Sequence, residues 1–262
     1  MPFVKQPPLK YWVASLLAEA GIPHGVFTRR GGVSPPPWDS LNLGNRVGDE
    51  RGRVQENLRR VFAALERPLA SRYDVWLVHS ATVVCAHTPR PDARPHIQAD
   101  AMLTDRPDVT LVMRYADCVP ILLADPVQRV VGLVHAGWRG TVLGVTKKAV
   151  EQMVACYGSR PADILAAIGP SIGPDHYEVG EEVAAQVRAA FGEQAEALLP
   201  HPGGQRVHFD LWAANRWLLE QAGVRQIEVA EICTACHLED WYSHRAEKGK
   251  TGRFGTLIAL PE

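Results

Sequence analysis

The sequence has no apolar run approaching the roughly 18 residues that span a bilayer, so no segment is expected to cross a membrane. It has almost no net charge: 28 Lys+Arg against 29 Asp+Glu leave −1. That removes any general electrostatic case for nucleic acid or an anionic membrane as partner. Cysteine is sparse, with five in 262 residues, too few and too scattered for a disulfide framework. The N-terminus, Met1-Pro2-Phe3-Val4-Lys5-Gln6-Pro7-Pro8, lacks the apolar stretch of a secretory signal, which points to the cytoplasm. Neither G-x-G-x-x-G nor a Walker sequence occurs, so dinucleotide and P-loop sites are not expected.

What remains is ordinary globular material, 46% hydrophobic and 22% charged. No repeat, low-complexity tract or linker divides it, and residues 1–262 read as one domain. The proline patches Ser34-Pro35-Pro36-Pro37 and Pro89 to Pro95 are short enough for surface loops. Strand-like runs cover 25–28, 75–78, 82–86, 110–114, 121–124, 130–135, 164–168, 227–230 and 256–260. Most are continuously apolar, as in strands buried on both faces. Helices are predicted over 51–65, with Val54, Leu58, Val61, Phe62 and Leu65 as an apolar stripe, and over 141–156 and 181–191. A fourth starts at the cap Asp210 and stops at Gly223. Cys85 and Cys156 read as small core residues. The irregular order of elements predicts an α+β fold with mixed sheets flanked by helices.

Three stretches carry chemistry: Val78-His79-Ser80, Ala116-Asp117-Cys118-Val119-Pro120 and His135-Ala136-Gly137-Trp138-Arg139-Gly140. Each sets a metal ligand or nucleophile beside a predicted strand end. His79, Cys118 and His135 together suit a catalytic zinc site with three protein ligands and an open fourth position. They equally suit a cysteine nucleophile with a histidine base. Either way the sequence reads as an enzyme. Asp117 is suited to orienting a histidine or holding a substrate hydroxyl. Arg139, at a glycine-flanked strand-to-helix turn, is a candidate for phosphate or carboxylate.

Further candidates lie in loops. Tyr177 and Glu178 follow the glycine- and proline-punctuated stretch from Gly169, where an aromatic can stack on a planar ligand and a carboxylate can bond a ribose or base. Arg245, in Trp241-Tyr242-Ser243-His244-Arg245, and the nearby Lys250-Thr251-Gly252-Arg253 fit a phosphate- and base-binding wall or a solvated basic loop. Asn42, Arg46 and Asp49 form a polar loop of the same kind. Cys233-Thr234-Ala235-Cys236-His237 matches the haem-attachment pattern C-x-x-C-H. Haem attachment requires export, and a redox C-x-x-C would open a helix early in its fold, so a structural or pocket-lining role is expected.

In this order, Ala116-Asp117-Cys118-Val119-Pro120, His135-Ala136-Gly137-Trp138-Arg139-Gly140-Thr141, Ile168 to Gly173, Tyr177-Glu178-Val179-Gly180 and Ser243-His244-Arg245 resemble the YfiH-like family. Its members have carried the labels laccase-domain protein, polyphenol oxidase and purine nucleoside phosphorylase, with peptidoglycan editing factor as one branch. The resemblance implies a layered α/β/β/α fold shared with the cysteine hydrolase domain of cytotoxic necrotizing factors. It implies a metal on His79, Cys118 and His135, zinc in preference to copper. It implies phosphorolysis of adenosine, inosine, guanosine and methylthioadenosine, and deamination of adenosine, with nucleoside and phosphate as the partners. The sequence departs from the pattern at Leu77, usually glutamine, at Ser80, commonly glycine, and at His244, usually tyrosine. A multicopper oxidase arranges its histidines largely as H-x-H pairs, and the ten histidines here contain none. An amidase using Cys118 as nucleophile or a zinc-bound hydroxide, with His135 as base, is the main rival chemistry.

Overall fold

The structure is a computed structural model that describes residues 3–91, 93, 95–201, 204 and 206–262. Met1 and Pro2, and Asp92 and Arg94 of the second proline patch, lie outside the described residues. One six-stranded sheet contains β1 (Phe3–Gln6), β2 (Leu9–Trp12), β3 (His24–Phe27), β4 (Arg72–Tyr73), β7 (Thr110–Tyr115) and β12 (Phe254–Ala259). Its spatial order is β1-β2-β3-β12-β7-β4. The second contains β5 (Val83–Cys85), β6 (Ala101–Thr104), β8 (Val119–Asp125), β9 (Val130–Ala136), β10 (Leu165–Ile168) and β11 (Gln226–Val229). Its order is β11-β10-β8-β9-β6-β5. Both sheets are mixed: the pairs β4–β7, β10–β11 and β5–β6 are parallel and the others antiparallel.

Strand alternation decides the layering. Along β9, Val131 and Leu133 face the other sheet, where they meet Leu122 of β8 and Leu111, Met113 and Tyr115 of β7. Val119, Ile121, Leu123 and Val134 face outward onto the helices α4 (Val145–Tyr157), α5 (Glu181–Phe191) and α7 (Leu211–Gln221). On the far side of the first sheet, Val112 and Leu257 pack under Leu58, Val61 and Phe62 of α2 (Arg51–Ala64). The result is an α/β/β/α stack, as the resemblance implied. Every residue of β8 and β9 is buried, which explains their uninterrupted apolar runs. Ile121, Leu122 and Leu123 are completely buried, and each contributes about 1.5–3 kcal/mol of transfer free energy. Shorter helices are α1 (Ser15–Glu19), α3 (Trp138–Val142) and α6 (Ala195–Leu198). No helix among the described residues is long and apolar enough to cross a membrane.

Four readings of the sequence need correction. The strand expected over 75–78 does not form; only an isolated bridge joins Trp76 to Gln98. The Val78 amide donates instead to the Asp100 carboxylate, as do those of His79 and Ser80 just beyond it. The helix expected over 141–156 is two helices, α3 and α4, separated at Gly144, whose φ of 74° no helix interior tolerates. Cys156 is exposed, because the last turn of α4 meets edge strand β5 beside Cys85 rather than covering the sheet. Strands β1, β2, β4 and β6 were not anticipated. Asp210 caps α7 as expected, its side chain accepting from the Ala213 amide at 2.9 Å.

Candidate functional site

The site begins with register. In the β8–β9 pair Val119 lies opposite Ala136 and Pro120 opposite His135. That pairing carries Cys118, one residue before β8, to the end of β9 where Gly137 follows. His135 shares the parity of Val131 and Leu133 and therefore points between the sheets, its ring centroid 5.4 Å from that of Tyr115. His79 arrives from the irregular segment before β5. Its ring meets that of His135 edge-on at 5.1 Å, and its Nε2 is 4.0 Å from the Cys118 Sγ. Donor atoms of His79, Cys118 and His135 all lie within 4.8 Å of one another. Burial is graded, from buried His135 through half-buried Cys118 to exposed His79, so the cluster opens on the His79 side.

Asp100, fully buried just before β6, organises this cluster. Its Oδ1 accepts from the His79 amide at 3.0 Å and lies 3.0 Å from the His135 Nδ1. Its Oδ2 accepts from the Ser80 amide at 2.6 Å and the Ser80 hydroxyl at 2.8 Å. One carboxylate thus sets the loop that carries one imidazole and the tautomer of the other. With the His135 Nδ1–H donating to Asp100, Nε2 is the atom turned to Cys118. A carboxylate behind a ligating histidine is the usual support of a metal site.

Two backbone positions mark the cost of this arrangement. His79 has φ 59° and Asp117 φ 81°, left-handed values that cost a non-glycine residue on the order of 1–3 kcal/mol unless neighbours enforce them. Asp100 enforces the first. The second is enforced by Asp117's own side chain, which accepts from the Thr234 hydroxyl at 2.8 Å and the Arg245 amide at 2.6 Å. Gly137 forms the floor. A Cβ there would come within 2.9 Å of the Cys118 Sγ and 3.0 Å of the His79 Cδ2.

Electrostatics follow from the geometry. Burial alone would raise the Cys118 thiol, but the charge and hydrogen bonds of His135, with help from His79, bring it down to about 6. Burial alone would lower His135, but the Cys118 thiolate and the Asp100 carboxylate raise it to about 9. Between those values the bare site is a thiolate–imidazolium pair. Asp100 stays below the ordinary carboxylate value, since its bonds to His135 and Ser80 outweigh its burial.

Of the substrate-binding candidates, Tyr177, Glu178, Asp117 and Arg245 gather beside Cys118. The Arg245 guanidinium lies over the Tyr177 ring at 5.0 Å and donates to the Glu178 carbonyl at 2.8 Å. Burial and the nearby Cys118 charge raise the Tyr177 phenol above its ordinary value. The Glu178 carboxylate turns to Arg206 at 2.5 Å. Asn42 is completely buried, and its side chain is saturated by Gly44, Asp49 and the Arg253 amide. It shapes a loop. Arg46 stacks on Trp76 at 3.8 Å and lines a cleft of about 310 Å³ with Leu77, His96, Arg114 and Arg253. Arg139 is exposed and rests on Trp138 at 5.1 Å. Its helix, α3, has only five residues and so little dipole.

Sequence reasoning missed Asp100 and Gly137 as the floor, while Arg253 was read only as part of a basic wall or a solvated loop. The cleft does not include Cys118. Arg253 links the two: it lines the cleft, and the Cys118 and Asp117 charges act on its guanidinium, which burial otherwise pulls below its ordinary value. No spacing rule points to Asp100, whose partners lie 20 to 35 residues away in sequence.

The family model described as multi-copper polyphenol oxidoreductase laccase matches residues 23–261. A purine nucleoside phosphorylase of Deinococcus radiodurans is 45% identical over 240 residues, which are 92% of this chain and 90% of that protein. The purine nucleoside phosphorylase YfiH of Escherichia coli is 38% identical over 92% of this chain and 94% of its own. The chain belongs to the YfiH-like family. The crystal structure of a further member, YlmD from Geobacillus stearothermophilus, superposes with a TM-score of 0.92 at 34% identity, covering 100% of this chain and 99% of that one. The two-sheet stack around Cys118 is therefore the fold of the YfiH-like family.

Proposed function

We propose that the protein is a zinc-dependent purine nucleoside phosphorylase acting on adenosine, inosine, guanosine and methylthioadenosine, with adenosine deaminase activity. The observation that carries this reading is the His79–Cys118–His135 donor set opening toward solvent, in a chain 45% identical to a purine nucleoside phosphorylase. Two imidazoles and a thiolate within 4.8 Å, one imidazole backed by Asp100, suit a tetrahedral ion that keeps one open position. Gly137 supports the fit, because any larger residue would fill the space against the Cys118 sulfur. Copper suits the site less well. Among the described residues only this cluster holds two histidines, which supplies neither the pairs nor the number a multicopper oxidase needs. The cytoplasm is the compartment that fits reduced cysteines.

When bound, zinc would lower the pKa of a water toward about 7 and polarise a substrate oxygen or nitrogen. The chain's own residues bind and orient. Tyr177 offers an aromatic face for a purine, and Arg245 beside it offers a planar cation for phosphate. Phosphorolysis breaks the C1′–N9 bond, forms a C1′–oxygen bond to phosphate and leaves the base to take a proton. Arg253, between Cys118 and the cleft, is suited to hold that phosphate as well.

A second reading rests on one observation. With Cys118 at about 6 and His135 at about 9, the metal-free site has the charge state of a cysteine hydrolase, suited to an amide in a peptidoglycan precursor. Mass spectrometry of adenosine incubated with the zinc-loaded protein, with and without phosphate, separates the readings. Adenine and ribose 1-phosphate are expected only with phosphate, and inosine without it. If neither product forms, the nucleoside reading fails and the amidase takes its place.

A further inference from the structure

Asp175, His176, Cys233 and Cys236 bring four donor atoms within 4.8 Å of one another, well apart in sequence from the catalytic cluster. We propose that they form a second, structural site for a thiophilic divalent cation of the zinc class. Around one tetrahedral zinc, bond lengths of about 2.3 Å to sulfur and about 2.0 Å to nitrogen set donors about 3.3–3.8 Å apart. The His176 Nδ1 lies 3.5 Å from the Cys236 Sγ, 3.8 Å from the Cys233 Sγ and 3.1 Å from the Asp175 Oδ1. Both nitrogen–sulfur separations fall in that range before any ion is placed, the carboxylate oxygen lies slightly closer, and the remaining donor pairs are within 4.8 Å. The Cys233 sulfur is buried and accepts from the Gly173 amide at 3.2 Å, a bond that supports a thiolate ligand. His237, which completes the C-x-x-C-H pattern, turns away to Glu239 at 3.3 Å. The histidine that meets the two cysteines is therefore His176, from another loop.

The placement gives the ion a task. His176 immediately precedes Tyr177 and Glu178. Cys233 immediately precedes Thr234, whose hydroxyl holds Asp117 beside Cys118. A cation here ties the Tyr177 loop to the segment that fixes the catalytic turn. Four protein donors leave no open position, the mark of a structural site.

The test is cobalt(II) titration, followed by optical spectroscopy, of a protein carrying Cys118→Ser and His79→Ala. Cys118 and His79 lie outside the second cluster, so this protein isolates it. One equivalent is expected to bind with a thiolate-to-cobalt charge-transfer band and intense tetrahedral d–d bands, and zinc should displace it. Adding Cys236→Ser should remove those tetrahedral bands. Cys236 is exposed, so if the first protein folds poorly, wild type against Cys236→Ser alone should differ by one equivalent of bound cobalt, the Cys118 cluster keeping its own band. The proposal is overturned if no charge-transfer band forms, or if Cys236→Ser leaves it unchanged. It is equally overturned if non-reducing peptide mapping of freshly purified protein finds Cys233 and Cys236 joined as a disulfide.

Discussion

The two clusters both combine thiols with imidazoles, the second adding a carboxylate, and they differ in what supports them. Cys118 and His135 sit at the paired ends of two fully buried strands, with a buried carboxylate behind the imidazole. His176, Asp175 and Cys236 are exposed on loops, and only Cys233 is buried. The first cluster has three donors and an opening; the second has four and none. Rigid support with an incomplete coordination shell suits chemistry, while a complete shell on loops suits a clamp. Support, more than ligand type, separates the two roles.

The largest expected break in that comparison is Cys118→Ala. It removes the ligand or nucleophile under either mechanism, and kcat/KM for adenosine phosphorolysis should fall by about 1,000-fold or more. Cys236→Ser, measured in parallel, should leave turnover within about tenfold and lower the thermal midpoint instead. Comparable activity losses in both would erase the distinction.

Metal-free protein offers the next contrast. Cys236 is exposed, and its partial desolvation, with the neighbouring Cys233 thiol, pushes it up, whereas the charge of His135 brings Cys118 down to about 6. At neutral pH Cys118 is the thiol held as thiolate, so iodoacetamide should modify Cys118 faster than Cys236 despite its lower exposure, as read by peptide mass spectrometry. A depressed thiol pKa means reactivity that rises through pH 6 and then levels. A midpoint above 8 would remove the ion pair with His135.

Asp100→Asn sharpens the comparison further, because it keeps every ligand while removing the charge behind one and turning one of the two accepting oxygens into a donor. Losses of about 10–100-fold in activity or metal affinity are expected at the first cluster. The His135 imidazolium loses a stabilising charge, so the alkylation midpoint of Cys118 should move up. An unchanged midpoint would mean that Asp100 acts only on the loop backbone.

How much of this was legible depended on locality. Cys118 and His135 could be read because each ends a continuously apolar strand, and the fold class followed from those same runs. His79 was found for a wrong reason: its segment is not a strand but a loop wrapped around Asp100. Asp100 itself was invisible, since its role arises only when three distant segments meet. The C-x-x-C pair was visible and its partner was not, because the adjacent His237 satisfied the local pattern while the fold supplied His176. Elements of four residues or fewer, β1, β2, β4 and β6, were too short for their pattern to register. Arg139, read from a specific motif, lies exposed on Trp138, away from the Tyr177–Arg245 pair.

The smallest expected effect concerns the cleft that Arg253 links to the open cluster. Leu77 stands two residues before His79 and lines the cleft with Arg46, Arg114 and Arg253. The family resemblance implies glutamine there, so Leu77→Gln adds a donor and an acceptor to that wall of the cleft. A new hydrogen bond to a bound base contributes about 1 kcal/mol net, a roughly fivefold change in affinity. It should appear in KM for adenosine with kcat unchanged, since no ligand or support of Cys118 is altered. If kcat shifts instead, Leu77 packs against the loop that carries His79 and helps to set its geometry. The cleft would then belong to the support of the first cluster rather than to its substrate.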